Sequence, residues 1–153
     1  MGVYVVVARV IHTGQANPNN EIDLNLYPQG YVVSHKEYDE DVYDDNINSS
    51  LKMVNISTRE LRLNFSIWEL HKGECSDYLE ISSNNSPQRL CGNRKPQTIL
   101  ISNAREVLLR FVTDDEYGDR GFMLRYDSKY MLYVCIYERR ECQWWLVQSL
   151  AFA

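Results

Sequence analysis

The chain has 153 residues, of which 44% are hydrophobic and 24% charged, with eleven Tyr against seven Gly and four Pro. This is the composition of one globular domain, long enough to bury a core without a metal staple. A formal charge of −5 excludes a phosphate-backbone binder, which needs a cationic face. No run reaches the roughly 18 apolar residues of a membrane-spanning helix.

Residues 1–29 read as a flank. The run from Val3 to Ile11 suits a β-strand better than a signal peptide, because Arg9 interrupts it and no Lys or Arg precedes it. Gly14-Gln15-Ala16 does offer the small residues of a cleavage site. Asn17-Pro-Asn-Asn20 is linker-like. The stretch Glu37–Asp45 then carries six carboxylates in nine residues. Such runs are usually solvated loops; the sharper readings are sulfation at Tyr38 or Tyr43, or docking of basic ligands.

From there strand signals recur at short intervals. Leu61-x-Leu63-x-Phe65 alternates, as does Asp77–Ile81, and Ser82–Pro87 has turn chemistry. Thr98–Ser102 is a short apolar strand. Val107-x-Leu109-x-Phe111 puts three apolar side chains on one face, and Gly121-Phe122 opens a last strand to Tyr126. The period is two throughout, and no 3.6-residue stripe competes. These signals predict an all-β fold, an antiparallel β-sandwich over residues 30–128. Residues 129–153 form an apolar extension with Trp144 and Trp145, either an added hairpin or the stub of a neighbouring module.

Cys75, Cys91, Cys135 and Cys142 contain no C-x-x-C pair, and with three His in the chain a closed zinc site has poor support. An even count suits two disulfides, for which three pairings exist. The pairs nearest in sequence are Cys75–Cys91 and Cys135–Cys142. The first encloses fifteen residues, a closure worth about 3 kcal/mol in the chain-entropy treatment. Asn48, Asn55, Asn64 and Asn84 each open an N-x-[ST] sequon, which points to the same secretory compartment. There is no G-x-S-x-G, H-E-x-x-H or Gly-rich phosphate loop, and His12, His35 and His71 stand in unrelated contexts. No catalytic residue is therefore assigned.

The motifs together resemble a CUB domain, the extracellular jelly-roll-type β-sandwich module of complement proteases, tolloid-like proteases, neuropilins and spermadhesins. Gly30-Tyr-Val-Val-Ser34 is similar to its G-x-I-x-S opening, and Tyr43-x-x-Asn46 follows in place. Leu61-x-Leu63-x-Phe65-x-x-Trp68 resembles its I-x-L-x-F-x-x-F strand. Cys75-Ser-Asp77-Tyr-Leu-Glu-Ile81, Leu90-Cys91-Gly92, Phe111-Val-Thr-Asp114 and Gly121-Phe122 with Tyr126 complete the series. The family usually has two disulfides. The resemblance implies only the second here, Cys75–Cys91, because Ser49–Met53 stands where the other bridge would be.

Many CUB domains bind Ca²⁺ through three acidic side chains at one end of the sandwich. The resemblance implies Asp77 and Asp114 as two of them. The third is Glu69 when counted back eight residues from Asp77, and His71 when counted along the strand from Phe65. Calcium takes six to eight hard oxygen ligands, for which imidazole is a poor substitute. The resemblance further implies a secreted, non-enzymatic module. A basic side chain of its protein partner would engage Glu69, Asp77 and Asp114, with Tyr117 alongside. The alternatives are a CUB fragment of a multidomain secreted protease and a spermadhesin-like carbohydrate binder.

Overall fold

The computed structural model describes residues 9–12, 20–35, 38, 40–136 and 141–147, with side chains described for 20–35, 38 and 40–131. The candidate cleavage site at Gly14–Ala16 and the side chains of Cys135, Cys142, Trp144 and Trp145 lie outside these residues. The described residues form strands and no helix. They are β1 (Arg9–His12), β2 (Glu21–Asp23), β3 (Gln29–Val33), β4 (Asn48–Val54), β5 (Arg59–Glu69) and β6 (Tyr78–Ser83). There follow β7 (Ser86–Cys91), β8 (Ile99–Ser102), β9 (Glu106–Val112), β10 (Gly121–Ile136) and β11 (Glu141–Val147).

Two sheets face each other. One has the order β1-β3-β10-β5-β8, with β11 paired to β10; the other has the order β2-β4-β9-β6-β7. All pairs are antiparallel except β1–β3 and β2–β4, which are parallel. β2, β3 and β4 alternate between the sheets, so the chain crosses the sandwich rather than folding back as hairpins. The sandwich extends into both flanks. β2 and the start of β3 precede residue 30, and β10 runs beyond residue 128 to Ile136. Past Tyr130, which lies opposite the first residue of β5, β10 pairs only with β11, and this register sets Cys135 opposite Cys142.

Alternation builds the core, and one irregularity redirects it. In β5 the side chains of Leu61, Leu63 and Phe65 are buried in a strict period of two, and then Trp68 is buried instead of Ile67. The pairing with β10 accounts for the switch. Met123 faces Ile67 while Leu124 faces Phe65, so Ser66 is an extra residue in a β-bulge. Its hydroxyl donates to the Met123 carbonyl at 3.2 Å. A single inserted residue exchanges the two faces of everything after it. Trp68 and Leu70 therefore turn inward and Glu69 outward.

Edge-to-face contacts link the aromatic residues of the core. Tyr43 meets Phe111 with ring centroids 5.4 Å apart, Phe111 meets Phe122 at 5.2 Å, and Phe65 meets Trp68 at 5.2 Å. This is the favoured aromatic geometry. Far along β10, Arg59 is buried and donates to Ser128 and Asn25, with its guanidinium 3.8 Å above the Tyr130 ring. A disulfide joins Cys75, before β6, to Cys91 at the end of β7.

Candidate functional site

Three loop segments meet at one end of the sandwich: residues 40–46 before β4, residues 70–77 after β5, and residues 113–120 after β9. Main-chain bonds stitch the first to the third. Tyr43 N–H donates to the Asp119 carbonyl, Asn46 N–H donates to the Asp114 carbonyl, and Thr113 N–H donates to the Ile47 carbonyl. The Thr113 hydroxyl donates to the Asp44 carbonyl at 2.9 Å and accepts from Ile47 N–H at 2.8 Å.

Asp77 is the centre of the cluster. It is only 1% exposed, and each carboxylate oxygen takes a hydrogen bond. Oδ2 accepts from the Tyr43 hydroxyl at 2.6 Å, and Oδ1 accepts from Asp114 N–H at 2.9 Å. The Tyr43 oxygen in turn accepts from His71 N–H at 2.9 Å. Thus one buried carboxylate and one phenol tie all three loops together. Burial, followed by the bond to Asp77, holds the Tyr43 phenol above its ordinary range. With that hydroxyl buried and engaged, Tyr43 is removed as a site of sulfation. Tyr38 is half-buried.

Asp114 stands at the rim. Its Oδ1 accepts from Glu116 N–H at 2.9 Å. That bond first, then one from the Ser76 side chain, and more weakly the nearby His71, hold the carboxyl below the usual range. The neighbourhood of His71 is geometric too. A Cβ built on Gly73 would meet Ser76 Oγ at 3.1 Å and His71 Cδ2 at 3.2 Å, so the hydroxyl and the imidazole both border Gly73. Because the folded-state pKa lies below the unfolded one, the stabilisation from Asp114 is complete above the unfolded value near 4 and is lost as pH falls through the folded value. NMR titration should find the Asp114 carboxyl below the ordinary range, and Ser76→Ala should raise it. An Asp114 that titrates normally would contradict this geometry.

Glu69 is not brought into the cluster. It ends β5 opposite Gly121, with its side chain 49% exposed and Oε1 3.8 Å from the Arg120 guanidinium. Among the described residues no three His, Cys, Asp or Glu side chains are grouped to hold a metal ion. Tyr117 is 83% exposed on the third loop. The sequons lie elsewhere. Asn48 and Asn55 are exposed at or just past the ends of β4, and Asn64 is half-buried within β5. Asn84 is exposed in the β6–β7 turn with its amide bonded to the Asn103 carbonyl. Sequence reasoning did not single out Tyr43 as the organiser of this end. Its signals were its place in the Tyr43-x-x-Asn46 motif and within an acidic run, neither of which told that its hydroxyl would bond Asp77.

The geometry defines a disulfide-stapled two-sheet β-sandwich whose loop end is built around a buried acid. Comparison gives the family: the CUB domain model matches residues 21–126, and the chain belongs to the CUB domain family. It is 34% identical over 100 residues to the dorsal-ventral patterning protein tolloid of Drosophila melanogaster, an alignment covering 61% of this chain and 9% of that protein. It is 31% identical over 102 residues to rat cubilin, covering 63% of this chain and 3% of cubilin. The chain thus spans a small part of these relatives. Among solved structures, the full extracellular region of zebrafish Gpr126/Adgrg6 superposes with a TM-score of 0.61 at 16% identity, covering 82% of this chain and 15% of that one. The MASP-1 CUB2 domain bound to Ca²⁺ superposes with a TM-score of 0.57 at 18% identity, covering 65% of this chain and 92% of that one.

That neighbour raises the question of whether calcium fits here. The ion takes six to eight oxygens and favours several carboxylates. This end supplies Asp77, with both oxygens already hydrogen-bonded, and Asp114. Beside them stands the nitrogen-bearing ring of His71, while Glu69 faces Arg120. Two carboxylates, Asp77 and Asp114, are thus the acidic donors that the described residues bring together at this end.

Proposed function

We propose that this chain is a non-catalytic, protein-binding CUB module of a secreted or extracellular protein, and that its acidic loop end is the contact surface. The supporting observation is the way Tyr43 and Asp77 hold the loops while leaving acidic groups outside. Glu40, Asp41, Asp44, Asp45, Asp115 and Glu116 are exposed there, around the projecting Tyr117. Asp77 is buried and organises the surface, whereas Asp114 and Tyr117 meet the partner. A partner with an exposed Lys or Arg fits this end, since complementary charge steers encounter and an exposed aromatic supplies a contact anchor. Family membership, the Cys75–Cys91 disulfide and relatives such as tolloid and cubilin support the extracellular assignment.

The experiment is a binding screen of the folded module against secreted proteins, followed by kinetics on each partner found. Tyr117→Ala should weaken binding by roughly five- to thirtyfold, the effect of removing an interface anchor worth about 1–2 kcal/mol. Asp115→Asn with Glu116→Gln should slow association, and added salt should do the same to the wild type. A partner indifferent to all three would place the contact surface elsewhere. Binding to glycans in place of proteins would favour the carbohydrate reading.

A further inference from the structure

We infer that the loop end of this module is ordered by the Tyr43–Asp77 hydrogen bonds in place of a divalent cation, and that His71 is the residue that withholds the third carboxylate. The inference concerns how the end is held and stands whether or not a partner docks there.

An ion-ordered end needs charge neutralisation to bring its loops together, because two neighbouring carboxylates repel when nothing lies between them. Here the Asp77 charge is met by hydrogen-bond donors of the chain itself. One is the Tyr43 hydroxyl on the first loop and the other is the Asp114 amide on the third. The second segment joins through His71 N–H on the same phenol oxygen. Each of the loops that a cation would gather is thus already joined to the others by a bond of 2.9 Å or less. The Asp114 carboxylate is held by Glu116 N–H and the Ser76 side chain.

The outcome rests on where Glu69 and His71 come to lie past Trp68, which is buried. Glu69 is still within β5 and reaches Arg120, whereas His71 lies beyond the strand end, its ring and the Ser76 hydroxyl both bordering Gly73 and its charge felt by Asp114. The acid is therefore drawn to Arg120, and the residue nearer the Asp77–Asp114 pair carries no side-chain oxygen. On this account one substitution, His71→Glu, completes a three-carboxylate set with Asp77 and Asp114.

The test is thermal unfolding and terbium luminescence, with Tyr43 as the sensitising ring, in EDTA and in millimolar Ca²⁺ or Tb³⁺. The wild type should melt at the same temperature in both and give no sensitised emission. His71→Glu should gain emission and a Tm rise of roughly 5–10 °C at about a hundredfold excess of ion over Kd. Glu69→Ala should leave both proteins unchanged in these readouts. A calcium-dependent rise in the wild type that Asp114→Asn removes would overturn the inference. So would a folded His71→Glu variant that gains none. Tyr43→Phe keeps the inference testable if His71→Glu does not fold. Amide exchange across 113–120 should quicken about tenfold or more in that variant, whether or not Ca²⁺ is present, and restoration of protection by the ion would overturn the proposal.

Discussion

Replacing Cys75 and Cys91 together by Ser should lower stability by about 2–5 kcal/mol, the range for native disulfides of small secreted domains. The bridge spans a sequence separation of 16 with Cα atoms 5.4 Å apart. It closes the stretch that includes the β6–β7 hairpin, whose register sets Cys91 directly opposite Tyr78. Cutting it releases that loop in the unfolded chain and loosens Cys75 in the folded one, two residues before the buried Asp77. The effect should therefore appear twice. Urea unfolding should show a midpoint well below that of the wild type, and amide exchange should quicken first around Asp77 and Asp114. A double variant within about 0.5 kcal/mol of the wild type, as expected for an unremarkable surface change, would show that the bridge does not stabilise the fold.

Gly118→Ala should cost about 3 kcal/mol, the upper end for forcing extra volume into a packed site. A Cβ there would run into the carbonyl oxygen of Tyr43, with the carbonyl carbon at 3.1 Å and the ring Cδ2 at 3.2 Å. The obstacle is backbone, so no rotamer change relieves it. The two segments are also tied at the next residue, where Tyr43 N–H donates to the Asp119 carbonyl at 3.1 Å. Making room means parting the first and third loops and shifting the phenol that bonds Asp77. Gly73→Ala is the control, because the atoms it would meet belong to the side chains of Ser76 and His71, which can yield. Gly118→Ala should lower Tm severalfold more than Gly73→Ala. Equal, small shifts for the two would show that the packing of Gly118 on Tyr43 does not matter.

The β-sandwich and its family were legible because they rest on local regularities. The alternation in Leu61-x-Leu63-x-Phe65 and in Val107-x-Leu109-x-Phe111 survives in β5 and β9, where those side chains are all buried. Asp77 and Asp114 could be named from their place in motifs, and the structure brings them within one hydrogen bond of each other. The flanks were harder to read. β2 is three residues long and owes its pairing to β4, so its own pattern is too short to announce it. β10 passes residue 128 without interruption because β11 continues the pairing beyond Arg59, where β5 begins.

The sequence by itself determined the class of fold, since a period of two, few helix signals and abundant β-branched and aromatic residues are properties of neighbouring residues that no partner can alter. It also determined which cysteines and acids were available. The tertiary structure decided what those acids do. Counting from Phe65 or from Asp77 left Glu69 and His71 as rivals, and folded position separates them: Glu69 ends β5 beside Arg120, whereas His71 lies past the strand end with its N–H on the Tyr43 oxygen. Burial likewise decided Tyr43, one of several tyrosines in the sequence and the one whose hydroxyl lies where Asp77 and His71 N–H converge. Register and burial are relations between distant parts of the chain, and a local pattern carries neither.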